Sequence, residues 1–240
     1  MPHTIKILFY LFVLLPRLTD AQTATTPETN PNAIHIKQTP DFAVTGDGTA
    51  LQWKNADWVP VLSRSNPKTS YHANVKLLYS TLGIYCLFSC EDRKITATLN
   101  ADFADLFKED VVEVFFWPDE AVPIYFEYEL SPNNYELAIL VPNLNGNAFG
   151  WRPWHYEGDR TTRHATRIFH DDKGITSWTA EFFIPYSLLS PILKTPPQKG
   201  SQWRANMYRI DYDEEVSYFS WQLTRKNFHD YQRFGTLLFD

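Results

Sequence analysis

Short runs of alternating apolar and polar residues follow one another along most of this chain, with turn-forming residues between them. A period of two is typical of β-strands, in which successive side chains point to opposite faces of a sheet. Residues 202–210 show the pattern, because Trp203, Ala205 and Met207 alternate with polar positions. The runs that we interpret as strands are 75–79, 84–90, 110–117, 124–130, 135–141, 177–184, 202–210, 219–223 and 236–239.

Helical periodicity is scarce in the sequence. Residues 101–107 and 187–193 suggest a helical turn, and the second run stops before Pro196 and Pro197. Many short strands separated by turns favour an all-β fold. We therefore expect an antiparallel β-sandwich with a few short helical turns.

The run 110–117 carries a carboxylate in an apolar setting. Phe115 and Trp117 share a face with Glu113, and the opposite face is also apolar. The strand is therefore expected to be covered on both sides, where an unpaired carboxylate is costly. Two interpretations remain open: Glu113 faces a cleft and binds a ligand, or it pairs with a buried arginine such as Arg209.

The first residues have the features of a targeting segment. A positive charge at Lys6 precedes an apolar run at 7–15, too short to cross a bilayer comfortably, and Ala21 ends a short stretch before a polar region. The expected organisation is a secretory signal peptide at 1–21, a flexible leader at 22–33 and a single β-sandwich domain at 34–240. The mature protein is expected to be secreted or periplasmic, with no transmembrane segment.

The two cysteines, Cys86 and Cys90, lie four residues apart on one face of a predicted strand. At about 3.3 Å per residue their Cα atoms would be roughly 13 Å apart. A disulfide requires a separation of about 4.4 to 6.8 Å. We therefore expect two buried free thiols.

Net charge and aromatic content narrow the class of ligand. Removal of residues 1–21 would take away Lys6, Arg17 and Asp20 and change the formal net charge from −6 to −7. Phosphate binding needs a basic surface, so nucleic acid is not expected as a partner. Aromatic residues make up 16% of the chain, an excess which suggests that some of them line a groove.

Seven blocks of the sequence form an ordered series. They are AVTGDGTALQWKNADW (43–58), VKLLYSTLGIYCLFSCED (75–92), EDVVEVFFWPD (109–119), YFEYELSPNN (125–134), SWTAEFFIPYSLL (177–189), GSQWRANMYRID (200–211) and SWQLTRKNFHDYQRFGTLLF (220–239). In this order they resemble the family 9 carbohydrate-binding module and its relatives. The resemblance implies a sandwich of the jelly-roll or DOMON-like type whose concave face binds carbohydrate, either an oligosaccharide or a polysaccharide.

The resemblance also implies a binding site. In well-understood members two aromatic rings clamp a sugar, and the corresponding positions here hold Phe107 and Phe228. The acidic residue that hydrogen-bonds sugar hydroxyls in those members corresponds to Glu113. Phenylalanine here replaces the tryptophan of those members, and Glu127 stands where a basic sugar ligand is expected. Aromatic rings suit the apolar faces of a pyranose, and carboxylates suit its hydroxyls.

Further binding residues are expected in a long irregular segment and on one strand face. Trp151 and Trp154 lie in the segment 142–174 and either cap the cleft or anchor the loop. The polar face of the strand at 202–210, which is either cleft or solvent surface, carries Arg204, Asn206 and Tyr208.

Ligand spacing identifies no metal site. The histidines lack the tight spacing of a zinc site, and no loop has the ligand order of a calcium loop. The resemblance implies a structural calcium, and candidate oxygen ligands are Asp41, Asp47, Asp171 and Asp172. No other cofactor is expected.

The favoured function is that of an exported, non-catalytic carbohydrate-binding protein. It would hold a sugar or a polysaccharide end in an aromatic cleft and support polysaccharide breakdown or uptake, with a glycoside hydrolase as a candidate partner. Two alternatives remain open. Glu113, Glu127 and Glu181 on neighbouring strands would permit glycoside hydrolysis if two carboxylates lay about 5 to 5.5 Å or about 6.5 to 9.5 Å apart. A structural or protein-interaction sandwich would have no sugar ligand.

Overall fold

The computed structural model describes Met1 and residues 32–65, 71–154, 157–213 and 215–240. The chain divides into two units, Met1–Asn30 and Pro31–Asp240, and the fold below is that of the second. Apart from Met1, the expected signal peptide and residues 22–31 of the expected leader lie outside the described residues.

Fourteen strands and four short 3-10 turns make up the regular structure of the described residues. The strands are β1 Ala33–Gln38, β2 Val59–Ser63, β3 Ala73–Tyr79, β4 Gly83–Glu91, β5 Val111–Trp117, β6 Ile124–Leu130, β7 Glu136–Leu144, β8 Asn147–Ala148, β9 Arg152–Pro153, β10 Arg163–Asp171, β11 Gly174–Pro185, β12 Gln202–Tyr212, β13 Val216–Ser220 and β14 Gly235–Phe239. The 3-10 turns are Leu51–Asn55, Leu106–Lys108, Gly158–Arg160 and Tyr231–Arg233. The expected helical turn at 187–193 is a series of hydrogen-bonded turns instead.

The all-β prediction is confirmed within the described part of the chain. Hydrogen bonds link the strands in the order β10-β11-β4-β3-β1-β14-β12-β5-β6-β7-β8, and β2 and β13 together connect β3 to β12. The six strands β1, β3, β2, β13, β12 and β14 therefore close a barrel. Further strands extend from it on both sides. No helix in the described ranges has the length and apolar character needed to span a membrane.

The purely antiparallel sandwich expected from the sequence is wrong at β1. This strand runs parallel to both of its neighbours, with Ile34 opposite Leu237 of β14 and Lys37 opposite Leu78 of β3. Alternation cannot show this, because parallel and antiparallel strands share a period of two. The sheet is thus mixed. Hydrogen bonds run continuously through β1 from one half, β10-β11-β4-β3, to the other half, β14-β12-β5-β6-β7-β8.

The main hydrophobic core lies between those two halves. Phe182 of β11 contacts Tyr128 of β6, with 4.9 Å between ring centroids, and it also lies against Phe88 of β4. Cys86 and Cys90 are buried in this core as free thiols, which confirms the prediction. Burial raises the pKa of both thiols, so neither is an available nucleophile at neutral pH.

Both faces of β5 are covered, as its apolar pattern predicts. Every residue of the strand is buried. Phe116 faces the main core, while Phe115 and Trp117 belong to a second cluster that includes Leu106 and Phe234. The second cluster lies on the face that carries Glu113, and residues from loops help to cover it.

A buried ion cluster lies on the opposite face of the sheet from Glu113. Glu113 is directly opposite Tyr208 of β12, and Arg209 is the next residue along, so its side chain points to the other side. Arg209 Nη2 lies 2.9 Å from Asp92 Oδ2 and 3.6 Å from Asp211 Oδ2. The alternative pairing of Glu113 with Arg209 is therefore wrong.

Replacing Arg209 with leucine is expected to destabilise the fold by about 3 to 5 kcal/mol, because Asp92 and Asp211 would stay buried without their cation. The free energy of unfolding is measured by urea denaturation. Arg93→Leu, at an exposed arginine, is the control and should change it by less than about 0.5 kcal/mol. Equal unfolding midpoints for the two variants would contradict the role of this cluster.

Candidate functional site

Three glutamates share one face of the sheet because of the register between β5 and β6. Glu113 lies directly opposite Glu129, and Glu127 lies directly opposite Phe115. Residues opposite each other project from the same face, so the three carboxyls form a compact patch. Like charges in such an arrangement repel each other, and the arrangement therefore needs an explanation.

The three glutamates line a cavity of about 540 Å³, which we call the glutamate cavity. Its aromatic and apolar lining consists of Phe107, Phe115, Ile139, Trp151, Ile210, Tyr218 and Phe228. Its other polar lining consists of Arg64, Thr224, Lys226, Asn227 and His229. Small-molecule sites typically have volumes of about 300 to 1,000 Å³ and a mainly apolar lining with a few polar groups.

Phe228 is held at the cavity by the residue beneath it. Its ring stacks on that of Tyr208, with 4.0 Å between centroids and 15° between planes. The Tyr208 hydroxyl donates a hydrogen bond of 2.7 Å to the Phe228 carbonyl and accepts one of 2.7 Å from Asn206 Nδ2. Tyr208 is fully buried on β12, so it fixes the loop that carries Phe228.

Phe107 lines the cavity from the 3-10 turn Leu106–Lys108, which comes shortly before β5. Leu106 is buried and anchors the turn. The Phe107 carbonyl accepts a hydrogen bond of 3.1 Å from the Tyr212 hydroxyl. The two positions predicted as clamp rings, Phe107 and Phe228, therefore line the same cavity.

Burial raises the pKa of all three cavity carboxyls well above their usual range. Glu113, Glu127 and Glu129 are only 2%, 4% and 1% exposed, so their charged forms lose most of their hydration. The neighbouring carboxylates raise each pKa further. Burial therefore favours the protonated forms on the cavity floor, and a protonated carboxyl donates as well as accepts hydrogen bonds.

His229 lies beside the glutamates as a neutral ring. The Tyr125 hydroxyl is 2.6 Å from His229 Nδ1, and Glu127 Oε2 is 3.7 Å from the same nitrogen. Burial lowers the pKa of His229 and raises that of Tyr125. The neutral tyrosine therefore donates to Nδ1, and His229 supplies no cation to the glutamates at neutral pH.

The structure separates the predicted binding residues into two groups. Those that line the glutamate cavity are Phe107, Glu113, Trp151 and Phe228. Trp154 instead packs against the main core, and its indole N–H donates to a main-chain carbonyl. Arg204 lines a different cavity and donates to the Phe234 carbonyl. Asn206 and Tyr208 are buried and hold the loop after β13.

Three of the four aspartates considered for calcium accept hydrogen bonds from other protein groups. Asp47 accepts hydrogen bonds from the hydroxyls of Thr49 and Thr45, which lower its pKa to about 2. Asp41 accepts from Tyr85, Asp171 accepts from the main chain of the turn before β11, and Asp172 is exposed. In the part of the chain that the structure describes, the acidic cluster with oxygens within 4.8 Å of one another is Asp92, Asp110 and Asp211. Arg209 already contacts two of these three.

Glu181, considered with Glu113 as a hydrolytic pair, has other partners. Its oxygens accept hydrogen bonds from Trp53 Nε1 at 2.9 Å, Gly46 N at 2.8 Å and Thr45 N at 3.1 Å. It lies on β11, which pairs with neither β5 nor β6. Glu181 therefore anchors the segment 45–53, and the carboxyls that share the cavity with Glu113 are those of Glu127 and Glu129.

Sequence reasoning missed Glu129 and His229 as residues of the cavity that Glu113 lines. Alternation places Glu127 and Glu129 on one strand face but does not give the register between that strand and β5. The available signal for His229 was its position next to Phe228 in the chain.

Comparisons with known proteins bear on the fold. No protein-family model matches the sequence. An "Extracellular protein" of Arthroderma benhamiae is 28% identical over 158 residues, a match that covers 59% of this chain and 64% of that protein. The chain therefore spans less than two thirds of the length of this curated relative.

Solved structures are similar over most of the chain. A candidate carbohydrate-binding protein from Bacteroides uniformis has a TM-score of 0.71 at 17% identity, and the match covers 87% of this chain and 99% of that one. A family 9 carbohydrate-binding module from Caldicellulosiruptor kristjanssonii in complex with cellotriose has a TM-score of 0.62 at 15% identity, with 87% and 93% covered. This chain shares the fold of the family 9 carbohydrate-binding modules. The glucose complex of the same source gives a TM-score of 0.61 at 15% identity, with 87% and 95% covered.

Tyr208→Phe is expected to lower the free energy of unfolding by about 1 kcal/mol, because the Phe228 carbonyl loses its donor while the stacked ring remains. Urea denaturation measures the loss, and hydrogen exchange in the loop after β13 should become faster. Tyr218→Phe, at a 44% exposed tyrosine, is the matched control. An unchanged rate of hydrogen exchange in the loop after β13 of the Tyr208→Phe variant would contradict the role of Tyr208 in holding that loop.

Stability is expected to fall as the pH rises above about 4.5, in part because of Glu129. The unfolded chain releases this proton near pH 4.5, whereas the folded protein retains it to a higher pH, so folding becomes less favourable through this window. Glu129→Gln should reduce the decline in urea midpoint, and Glu120→Gln at an exposed glutamate should not. An equal decline in wild type and Glu129→Gln would show that Glu129 does not titrate as described.

Proposed function

We propose that this protein is an exported, non-catalytic carbohydrate-binding protein that holds a sugar or a polysaccharide end in the glutamate cavity. The observation that carries the proposal is the convergence of three carboxyls with the rings of Phe107, Trp151 and Phe228 on one cavity. The fold shared with modules solved in complex with glucose and cellotriose supports it.

The cavity matches the two kinds of surface on a pyranose ring. Aromatic rings provide flat apolar area for the C–H faces of the sugar. Protonated carboxyls donate and accept, as sugar hydroxyls do, and each satisfied hydrogen bond is worth about 0.5 to 1.5 kcal/mol net. The floor belongs to regular strands, so little ordering cost is expected on binding.

Electrostatics favour binding over hydrolysis by paired carboxylates. Glycoside hydrolysis requires one protonated and one ionised carboxyl with pKa values pushed apart. Here burial shifts the pKa of Glu113, Glu127 and Glu129 in the same direction, and the neighbouring carboxylates add to that shift. No shift singles out one of the three as the ionised partner that hydrolysis requires, so binding is the function that we propose.

Export of the mature chain is part of the proposal. The expected signal peptide at 1–21 supports it, as does the name of the extracellular relative from A. benhamiae. A binding protein of this kind outside the cytoplasm would keep polysaccharide close to a degrading enzyme. A glycoside hydrolase is therefore the partner that we propose.

Affinity electrophoresis on gels containing soluble polysaccharides tests the proposal, together with tryptophan fluorescence titration, since Trp151 lines the cavity. We expect wild type to be retained. Phe228→Ala should weaken binding about tenfold or more, because it removes one stacking surface.

Phe149→Ala, at a 60% exposed phenylalanine outside the cavity lining, is the matched control and should bind like wild type. Equal binding by wild type, Phe228→Ala and Phe149→Ala would exclude the glutamate cavity as the site. Failure of wild type to bind any of a broad set of polysaccharides and oligosaccharides would contradict the function itself.

A further inference from the structure

Three carboxyl oxygens on the floor of the glutamate cavity lack a well-formed hydrogen bond. Strict hydrogen-bond geometry leaves Glu127 Oε2 and both oxygens of Glu129 without a donor among the described residues. A looser contact between these two carboxyls, and one with the Phe107 main chain, still influence their pKa. Both side chains are more than nine-tenths buried and line the cavity. Buried acceptors without donors are costly, which points to a ligand that supplies the donors.

The basic side chains of the cavity lining do not neutralise this floor. The Arg64 guanidinium donates to the hydroxyl and carbonyl of Ser220 and to the carbonyl of Trp221. Lys226 is exposed, and His229 is neutral. The charges that act on the three glutamates are those of other carboxylates, and no basic side chain of the described ranges offsets them.

An organic cation fits this floor better than a metal ion does. Carboxylate oxygens that share a calcium ion each lie about 2.3 to 2.6 Å from it. The described acidic cluster with oxygens all within 4.8 Å of one another consists of the three aspartates on the other face, not of these glutamates. An ammonium group donates three hydrogen bonds at about 2.7 to 2.9 Å, and aromatic faces also attract it.

We propose that the sugar bound in the glutamate cavity carries an amino group, so that the ligand class is a 2-amino sugar such as the terminal glucosamine of a glucosamine chain. This inference rests on the proposed function and specifies its ligand. The ammonium donates to Glu127 and Glu129, and the pyranose face packs against the rings of Phe107 and Phe228.

Ammonium binding has a proton signature that binding of a neutral sugar lacks. Burial favours the protonated carboxyls in the free protein, whereas a bound ammonium stabilises the ionised form. Binding therefore ionises carboxyl groups, and the released protons pass to the buffer. A sugar amine loses its proton near neutral pH, so the titrations are made at mildly acidic pH, where the amine is already an ammonium and the proton count is set by the protein.

Isothermal titration calorimetry of the full chain with three trimers of matched size tests the inference. The trimers are those of glucosamine, N-acetylglucosamine and glucose (cellotriose). We expect the glucosamine trimer to bind about tenfold more tightly than the other two. Its binding enthalpy should differ between two mildly acidic buffers with different enthalpies of ionisation, which reports proton release, and the other two trimers should show no such difference.

Glu129→Gln, with Glu127→Gln as a second variant, should reduce the preference for the glucosamine trimer to less than about threefold. Circular dichroism verifies that each variant is folded, and Glu120→Gln, which removes the same charge from the surface, should keep the full preference.

Equal affinity of wild type for all three trimers would overturn the amino-sugar inference and leave the proposed function standing. If both cavity variants kept the preference for the glucosamine trimer, the preference would come from general attraction of a cation to an acidic protein. That result would also overturn the inference. No binding of any trimer or polysaccharide would overturn both.

Discussion

The register between β5 and β6 places three carboxyls on one sheet face, where no lysine or arginine of the described residues forms an ion pair with them, and most features of the candidate site follow from it. Glu113 faces Glu129 directly, and Glu127 follows on the same face. Burial then disfavours the ionised forms and raises the pKa of each group. The result is a polar floor in an otherwise apolar cavity, which fits a ligand rich in hydrogen-bond donors.

Two buried acidic groups lie on opposite faces of the same region of the sheet, and they differ in how they are satisfied. On one face Arg209 contacts Asp92 and Asp211, and nothing of this group lines the glutamate cavity. On the other face, neither carboxyl oxygen of Glu129 has a well-formed hydrogen bond among the described residues. Glu129 nevertheless lines the glutamate cavity. We interpret the first group as structural. The second has the cost and the access that characterise a binding site.

Much of this organisation was predictable from the sequence, for identifiable reasons. Alternation gave the strands, and apolar residues on both faces of 111–117 gave the double covering of β5. Spacing along one strand gave the free thiols of Cys86 and Cys90. The alternation along the strand placed Glu113 on the same face as Phe115, and both residues line the cavity.

Other features depend on contacts between distant segments and could not be read from the pattern. The parallel pairing of β1 needs knowledge of its partners β3 and β14, which follow much later in the chain. The grouping of Glu113 with Glu129 needs the register. Tyr208 shares the polar strand face that was expected to be cleft or solvent surface, but its hydroxyl has a buried partner in the Phe228 carbonyl.

The central claim is that the floor of the cavity consists of desolvated glutamates whose pKa values are raised by burial. Carbon-13 NMR of selectively labelled glutamate side chains, with Glu→Gln variants for assignment, measures this directly. The account predicts that the resonances of Glu113, Glu127 and Glu129 remain in the protonated position well above the ordinary glutamate pKa of about 4.3 and titrate together as interacting groups. Independent titration of all three near that ordinary value would contradict it.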